Sequence, residues 1–180
     1  MSDGMSVQRR AARLAEEGLD AWTAGRLDEA RLRYEEALAL APPDHIGLAL
    51  FHGAYAGVLN ASGRHDDATV QLERALAAEI AQGYAEGSPP LFVARYLLSE
   101  QLLRVGERER ALATLAPSLV HAPDNWLTRV AEARALHALG RTTEARDAAA
   151  LAIAHAPGPD KAAELTHYLG DVLDDPAAAG

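Results

Sequence analysis

The sequence predicts an all-α fold assembled from a helix-turn-helix unit written four times in succession. Three observations carry this. Four stretches opening at Gly25, Gly63, Gly106 and Gly140 share one pattern: an Ala five residues on (Ala30, Ala68, Ala111, Ala145), a bulky apolar residue in three copies (Tyr34, Leu72, Leu115), then a second small residue (Ala37, Ala75, Ser118, Ala152). Because helix neighbours recur every three to four residues, these positions fall on one stripe, with small side chains where another helix must come close. The chain is 49% hydrophobic but only 5% aromatic, so its core must be built largely from Ala and Leu, which suits closely packed helices.

Taken in order, residues 1–10 form an N-terminal segment in which Met1 to Met5 read as loose and Ser6 as the N-cap of the helix that follows. The stripe Ala11, Leu14, Ala15, Gly18, Leu19 and Trp22, stopped by Gly25, makes the first helix of repeat one (residues 11–44). Leu27 to Leu40 supplies the second, Pro42-Pro43 breaks it, and Asp44 offers the next cap. Repeat two covers residues 49–82, with Tyr55, Ala56 and Leu59 on an inner face; it lacks a closing Pro, so its second helix is expected to run on toward Tyr84. Gly63 to Gly106 spans 43 residues against 34 from Gly106 to Gly140, which places an insertion at residues 83–91, expected to loop at Pro89-Pro90. That insertion reads as slack in the chain, with a specific contact as the alternative. Repeats three (92–125) and four (126–159) abut directly, and Pro117 predicts a kink in the second helix of repeat three. Asp160 is expected to cap a last helix over residues 160–175 that covers the open end, followed by a tail at 176–180.

With Pro42, Pro123 and Pro157 closing three of the copies, this pattern resembles the tetratricopeptide repeat, a helix-turn-helix unit of about 34 residues. The resemblance implies a right-handed α-solenoid of about four repeats plus a C-terminal capping helix. This chain departs from it at the position of the family's Trp early in each first helix, where it carries Leu14, His52, Arg95 and Arg129.

The formal charge of −9 argues against nucleic acid or an anionic membrane as the main ligand. The absence of Cys removes thiolate metal sites, disulfides and cysteine nucleophiles. No apolar leader or membrane span is read, so a cytoplasmic location is expected, and the heavy use of Ala with Lys161 as the sole Lys points to a GC-rich bacterial genome. Catalysis finds no phosphate loop, nucleophile elbow or metalloprotease motif. Glu35-Glu36 and Asp66-Asp67 are adjacent on helices and point in different directions, while His121 and His155, 34 residues apart, read as C-terminal helix residues rather than metal ligands. No cofactor or metal is expected.

The resemblance implies that a ligand, an extended peptide or helix of another protein, lies on the concave surface lined by the first helices (A helices) of the repeats. The groove positions carried over are Ala15, Leu19 and Trp22; Gly53, Gly57 and Asn60; Tyr96, Glu100 and Arg104; and Val130, Arg134 and His137. The co-chaperone branch of the family grips a terminal carboxylate with Lys and Asn, and Ala15, Leu19, Gly53 and Gly57 stand there instead, so that clamp is absent. Asn60 could bond a ligand backbone, Arg104 and Arg134 its acidic groups, and Trp22 and Tyr96 could serve as flat anchors. Against this, the Arg residues are expected to pair with Glu100 and Glu132, and Trp22 is equally readable as core. The reading reached is a non-catalytic interaction module, a scaffold or adaptor; a chaperone masking a hydrophobic client and a self-associating homo-oligomer are the alternatives.

Overall fold

A computed structural model describes residues 2–174, with side chains from Ser6 onward. Met1, the expected tail at 176–180 and the expected cap end at Asp175 lie outside those residues. The described residues form ten helices and no strand. In chain order they are α1 (Ser2–Thr23), α2 (Leu27–Leu40), α3 (Leu48–Ala61), α4 (His65–Ala81), α5 (Pro89–Arg104), α6 (Arg108–His121), α7 (Trp126–Ala138), α8 (Thr142–Ala154), α9 (Pro159–Tyr168) and α10 (Gly170–Leu173). The chain divides into two compact units, Met1–Tyr84 and Ala85–Gly180. In the first, α1 pairs with α2 and α3 with α4, while α3 also packs on α2 and α1. In the second, α5 pairs with α6 and α7 with α8, α7 also packs on α5 and α6, and α9 and α10 lie on α8.

One turn is used four times. Gly25, Gly63, Gly106 and Gly140 hold φ between 73° and 84°, a conformation that a side chain disfavours. The next amide then reaches back five residues: Arg26 to Ala21 at 2.8 Å, Arg64 to Leu59 at 2.9 Å, Glu107 to Leu102 at 2.8 Å and Arg141 to Leu136 at 2.9 Å. This closes the last carbonyls of each A helix before the chain reverses. An ion pair three residues apart follows at the same place in every copy: Arg26 with Glu29, Arg64 with Asp67, Arg141 with Glu144, and with reversed polarity Glu107 with Arg110.

The small residues do what their spacing predicts. A Cβ on Gly18 would sit 3.0 Å from the Tyr34 ring, so α2 approaches α1 only because Gly18 has none. Ala30, Ala37, Ala68, Ala111, Ala145 and Ala152 are buried, and in the second unit Ala133, Leu136, Ala145, Ala149, Leu165, Leu169 and Val172 share one core.

Several boundaries differ from expectation. α1 begins at Ser2, so residues 2–10 are helical and Ser6 lies inside the helix rather than capping it. The cap of α3 is Gly47; Asp44 sits in a turn built instead around buried His45. His45 Nδ1 accepts the Gly47 amide at 2.9 Å, and its Nε2–H donates to the Gln8 carbonyl of α1 at 3.2 Å. α4 is longer than the other B helices but stops at Ala81, short of Tyr84. Pro89 and Pro90 open α5 rather than making a loop, since a helix's first turn has amides to spare. α6 continues through Pro117 as one element. The expected single cap over 160–175 is two helices: Gly158 precedes Pro159 as the cap of α9, Asp160 lies inside it, and the chain breaks at Leu169 before α10.

Residues 83–88 are not slack. Glu86 pairs with the buried Arg95 guanidinium at 2.6 Å, and Arg95 also donates to the Thr114 carbonyl of α6 at 3.2 Å. Gly87 lies against the backbone of His121, where a Cβ would come within 3.1 Å. Arg95 stands at the family's Trp position. His52, at the same position of repeat two, is likewise buried and bonded, its Nδ1–H donating to Gln71 Oε1 at 2.8 Å. Arg129, in repeat four, bonds the Pro123 carbonyl and Glu132 at 2.7 Å each. Polar side chains with local partners thus replace aromatic filling there.

Candidate partner-binding surface

In the first unit, Leu19 and Trp22 lie one turn apart on α1, and Leu50, Gly53, Gly57 and Asn60 form a stripe on α3. Trp22 joins the two stripes. A Cβ on Gly57 would stand 2.8 Å from Trp22 Cζ2 and closer to Cη2, so the indole is wedged on the bare backbone of α3. Trp22 is therefore a packing residue between A helices, and Gly57 lies beneath it. Asn60 accepts a bond from His65 Nδ1 of α4 at 2.9 Å. Leu19 and Gly53 remain outward: Leu19 is 47% exposed, and a Cβ on Gly53 would meet nothing within 4 Å. Sequence reasoning missed Leu50, 73% exposed, which extends the same apolar stripe toward the start of α3, and Ile46, 85% exposed in the turn before α3. Leu50 is three residues before Gly53 and could have been found by helical spacing.

In the second unit the polar residues close on one another. Arg134 of α7 pairs with Glu100 of α5 and donates to the Tyr168 hydroxyl of α9 at 2.5 Å, with its guanidinium 5.3 Å from the Tyr168 ring centre. Burial, with the Glu100 charge adding to it, pushes the Tyr96 phenol up to about 12. Burial also raises the Glu100 carboxyl above its ordinary value, opposed by Arg134. Glu100, Arg134 and Tyr168 follow one another at 34-residue intervals, so Tyr168 is the same repeat position on a fifth A helix. Extending that register by one step would have found it. Glu132, expected among the partners of Arg104 and Arg134, pairs with Arg129 instead, while Arg104 is exposed at the end of α5. Val130 is buried in the core and His137 is half-buried, with Nδ1 enclosed.

The other residues weighed for chemistry are occupied structurally. Glu35 takes bonds from Arg31 at 3.0 Å and the Tyr55 hydroxyl at 2.7 Å, whereas Glu36 pairs with Arg33 at 2.8 Å. His155 faces Asp124 at 3.5 Å. A cleft between α1 and α2, lined by Arg10, Arg13, Glu17, Arg33 and Glu36, is largely self-neutralised by the contacts of Glu17 with Arg33 at 3.3 Å and Arg13 at 3.6 Å. No helix among the described residues is long and apolar enough to cross a membrane.

No family model and no curated protein matches the sequence. Solved structures do. MamA from Desulfovibrio magneticus RS-1 superposes with a TM-score of 0.64 at 15% identity, covering 92% of this chain and 94% of its own. The putative kinesin light chain of Podosopora anserina, described as having nearly identical TPR-like repeats, gives 0.67 at 17% identity, over 92% and 90%. A tetratricopeptide repeat protein of Parabacteroides merdae ATCC 43184 gives 0.68 at 15% identity, over 92% and 63%. Likeness at such identities establishes architecture, and the recurrent glycine turns and paired helices agree with it: this chain has the all-α solenoid fold of the tetratricopeptide repeat proteins.

Proposed function

We propose that the protein is a non-catalytic interaction module that receives a peptide or helix of a partner protein on its A helices. The observation that carries this is the outward apolar stripe of the first unit, Leu19, Leu50 and the bare backbone of Gly53, with Ile46 exposed in the turn before α3. A surface helix ordinarily turns polar side chains to water, yet α3 has no Asp, Glu, Lys or Arg in its 14 residues. Contiguous exposed apolar surface of this kind marks contact with another molecule. The tetratricopeptide fold supports the same reading, since the resemblance implies ligands on the A helices. Masking of a hydrophobic client is the finer form that the apolar stripe favours. The second unit offers less, because Arg134 is already taken up by Glu100 and Tyr168.

The test uses Leu19→Asp and Leu50→Asp, both at exposed helix positions, rather than Trp22 or Arg134, whose loss would disturb packing. The wild type and the double variant are compared in affinity capture from the source cell, after circular dichroism confirms equal helicity. A partner held only by the wild type supports the reading; identical partners on both proteins refute it.

A further inference from the structure

The stripe on the first unit is bordered mainly by carboxylates. α3 contributes no charge, and the charged residues bordering the stripe are Glu16, three residues before Leu19 on α1, Asp20 beside Leu19, and Asp44, two residues before Ile46; all three are exposed. Five of the eight Arg of this unit pair within it, while Arg9 is exposed on the Glu16 face of α1, two turns earlier. Arg26, Arg31, Arg33 and Arg64 pair with Glu29, Glu35, Glu36 and Asp67 along α2 and α4, and Arg13 pairs with Glu17. The unit as a whole carries eight Arg against thirteen Asp and Glu. A docking segment would therefore meet an apolar centre framed by carboxylates.

From this we infer that the partner segment is an amphipathic helix with an apolar stripe and basic residues on its flanks. The inference rests on the docking role proposed above and adds the partner's chemistry to it. Two features fix the class. Gly53 lets a backbone or a bulky apolar side chain come close to α3, and Leu19, Ile46 and Leu50 supply the apolar contacts around it. Glu16, Asp20 and Asp44 then pair with Lys or Arg at the edge and repel a segment flanked by carboxylates, so charge sets partner choice while apolar burial sets affinity.

The test uses two synthetic helices of about 20 residues with the same Leu and Ala stripe, one flanked by Arg and Lys and the other by Glu. Binding to the full chain is followed by calorimetry at low and high salt. The basic helix is expected to bind, more weakly as salt rises, and the acidic helix not to bind. Glu16→Lys with Asp20→Lys should weaken the basic helix about three- to tenfold. Gly53→Gln, at an open mid-helix position that leaves the fold intact, should weaken it by about tenfold or more through lost close approach. If the acidic helix binds instead and Leu50→Asp abolishes it, the charge inference falls while the docking role stands. If either helix binds but ignores Leu50→Asp and Gly53→Gln, both fall. Failure of both helices to bind overturns the inferred partner class, and the capture experiment with Leu19→Asp and Leu50→Asp then decides the docking role separately.

Discussion

Adding one methyl group at each of two glycines on α3 should move stability in opposite directions. Gly53 and Gly57 are both inside the helix, one turn apart, and neither has a positive φ. Replacing a helical Gly by Ala ordinarily stabilises by about 0.5–1 kcal/mol, because the unfolded chain loses freedom. At Gly53 nothing lies within 4 Å of the new atom, so the whole gain should appear. At Gly57 the new atom would stand 2.8 Å from Trp22 Cζ2 and closer to the ring end, so the indole must leave its seat between α1 and α3. Overpacking of that kind costs about 1–3 kcal/mol, which exceeds the propensity gain and leaves Gly57→Ala destabilised by up to about 2 kcal/mol. For a chain of this size each kcal/mol moves Tm by about 2–4 °C. The assay is thermal unfolding by circular dichroism, with Trp emission recorded in a Trp126→Phe background so that Trp22 alone reports. Gly53→Ala should raise Tm with emission unchanged, while Gly57→Ala should lower Tm and shift emission to the red. Equal rises in Tm with no change in emission would refute the wedge between Trp22 and Gly57.

Other expectations are independent of that one. Glu86→Ala leaves the buried Arg95 charge with only the Thr114 carbonyl, so it should cost about 1.5–3 kcal/mol in urea unfolding and speed amide exchange in residues 83–88; an exposed pair such as Arg64 with Asp67 should be worth under about 1 kcal/mol. Tyr168→Phe removes the hydroxyl that accepts from Arg134, and should cost about 1 kcal/mol with faster exchange in α9. His52 is held below its ordinary pKa, mainly by burial and also by Arg74, so the unfolded chain binds its proton more readily. Stability from this group is complete above the unfolded value of about 6.5 and is lost as pH falls below it; the acid-side slope of unfolding free energy should flatten in His52→Asn. Tyr55, pushed up to about 12 by burial and by Glu35, should ionise late in a spectrophotometric titration together with Tyr96, and Tyr55→Phe should reduce the amplitude of that late step by one residue.

The sequence by itself determined the repeat. Glycines at fixed intervals, Ala at the contact positions and a Gly at residue 18 are local requirements of a tight reversal and of two helices in contact, so each copy states them in its own residues. The same register, taken one period beyond Arg134, reaches Tyr168. What those side chains do was decided by tertiary contacts between residues far apart in the chain. Whether Trp22 is core or anchor depends on Gly57 lying beneath it, and the fate of Arg134 depends on Glu100 and Tyr168, each 34 residues away. The anchoring of residues 83–88 has the same origin, since Glu86 finds Arg95 only once α5 and α6 are packed. Helical periodicity gives the direction of a side chain from its own helix, but its partner lies on another helix, and only packing brings the two within bonding distance. The apolar stripe of Leu19, Leu50 and Gly53 stands out for that reason: nothing else among the described residues of its unit covers it.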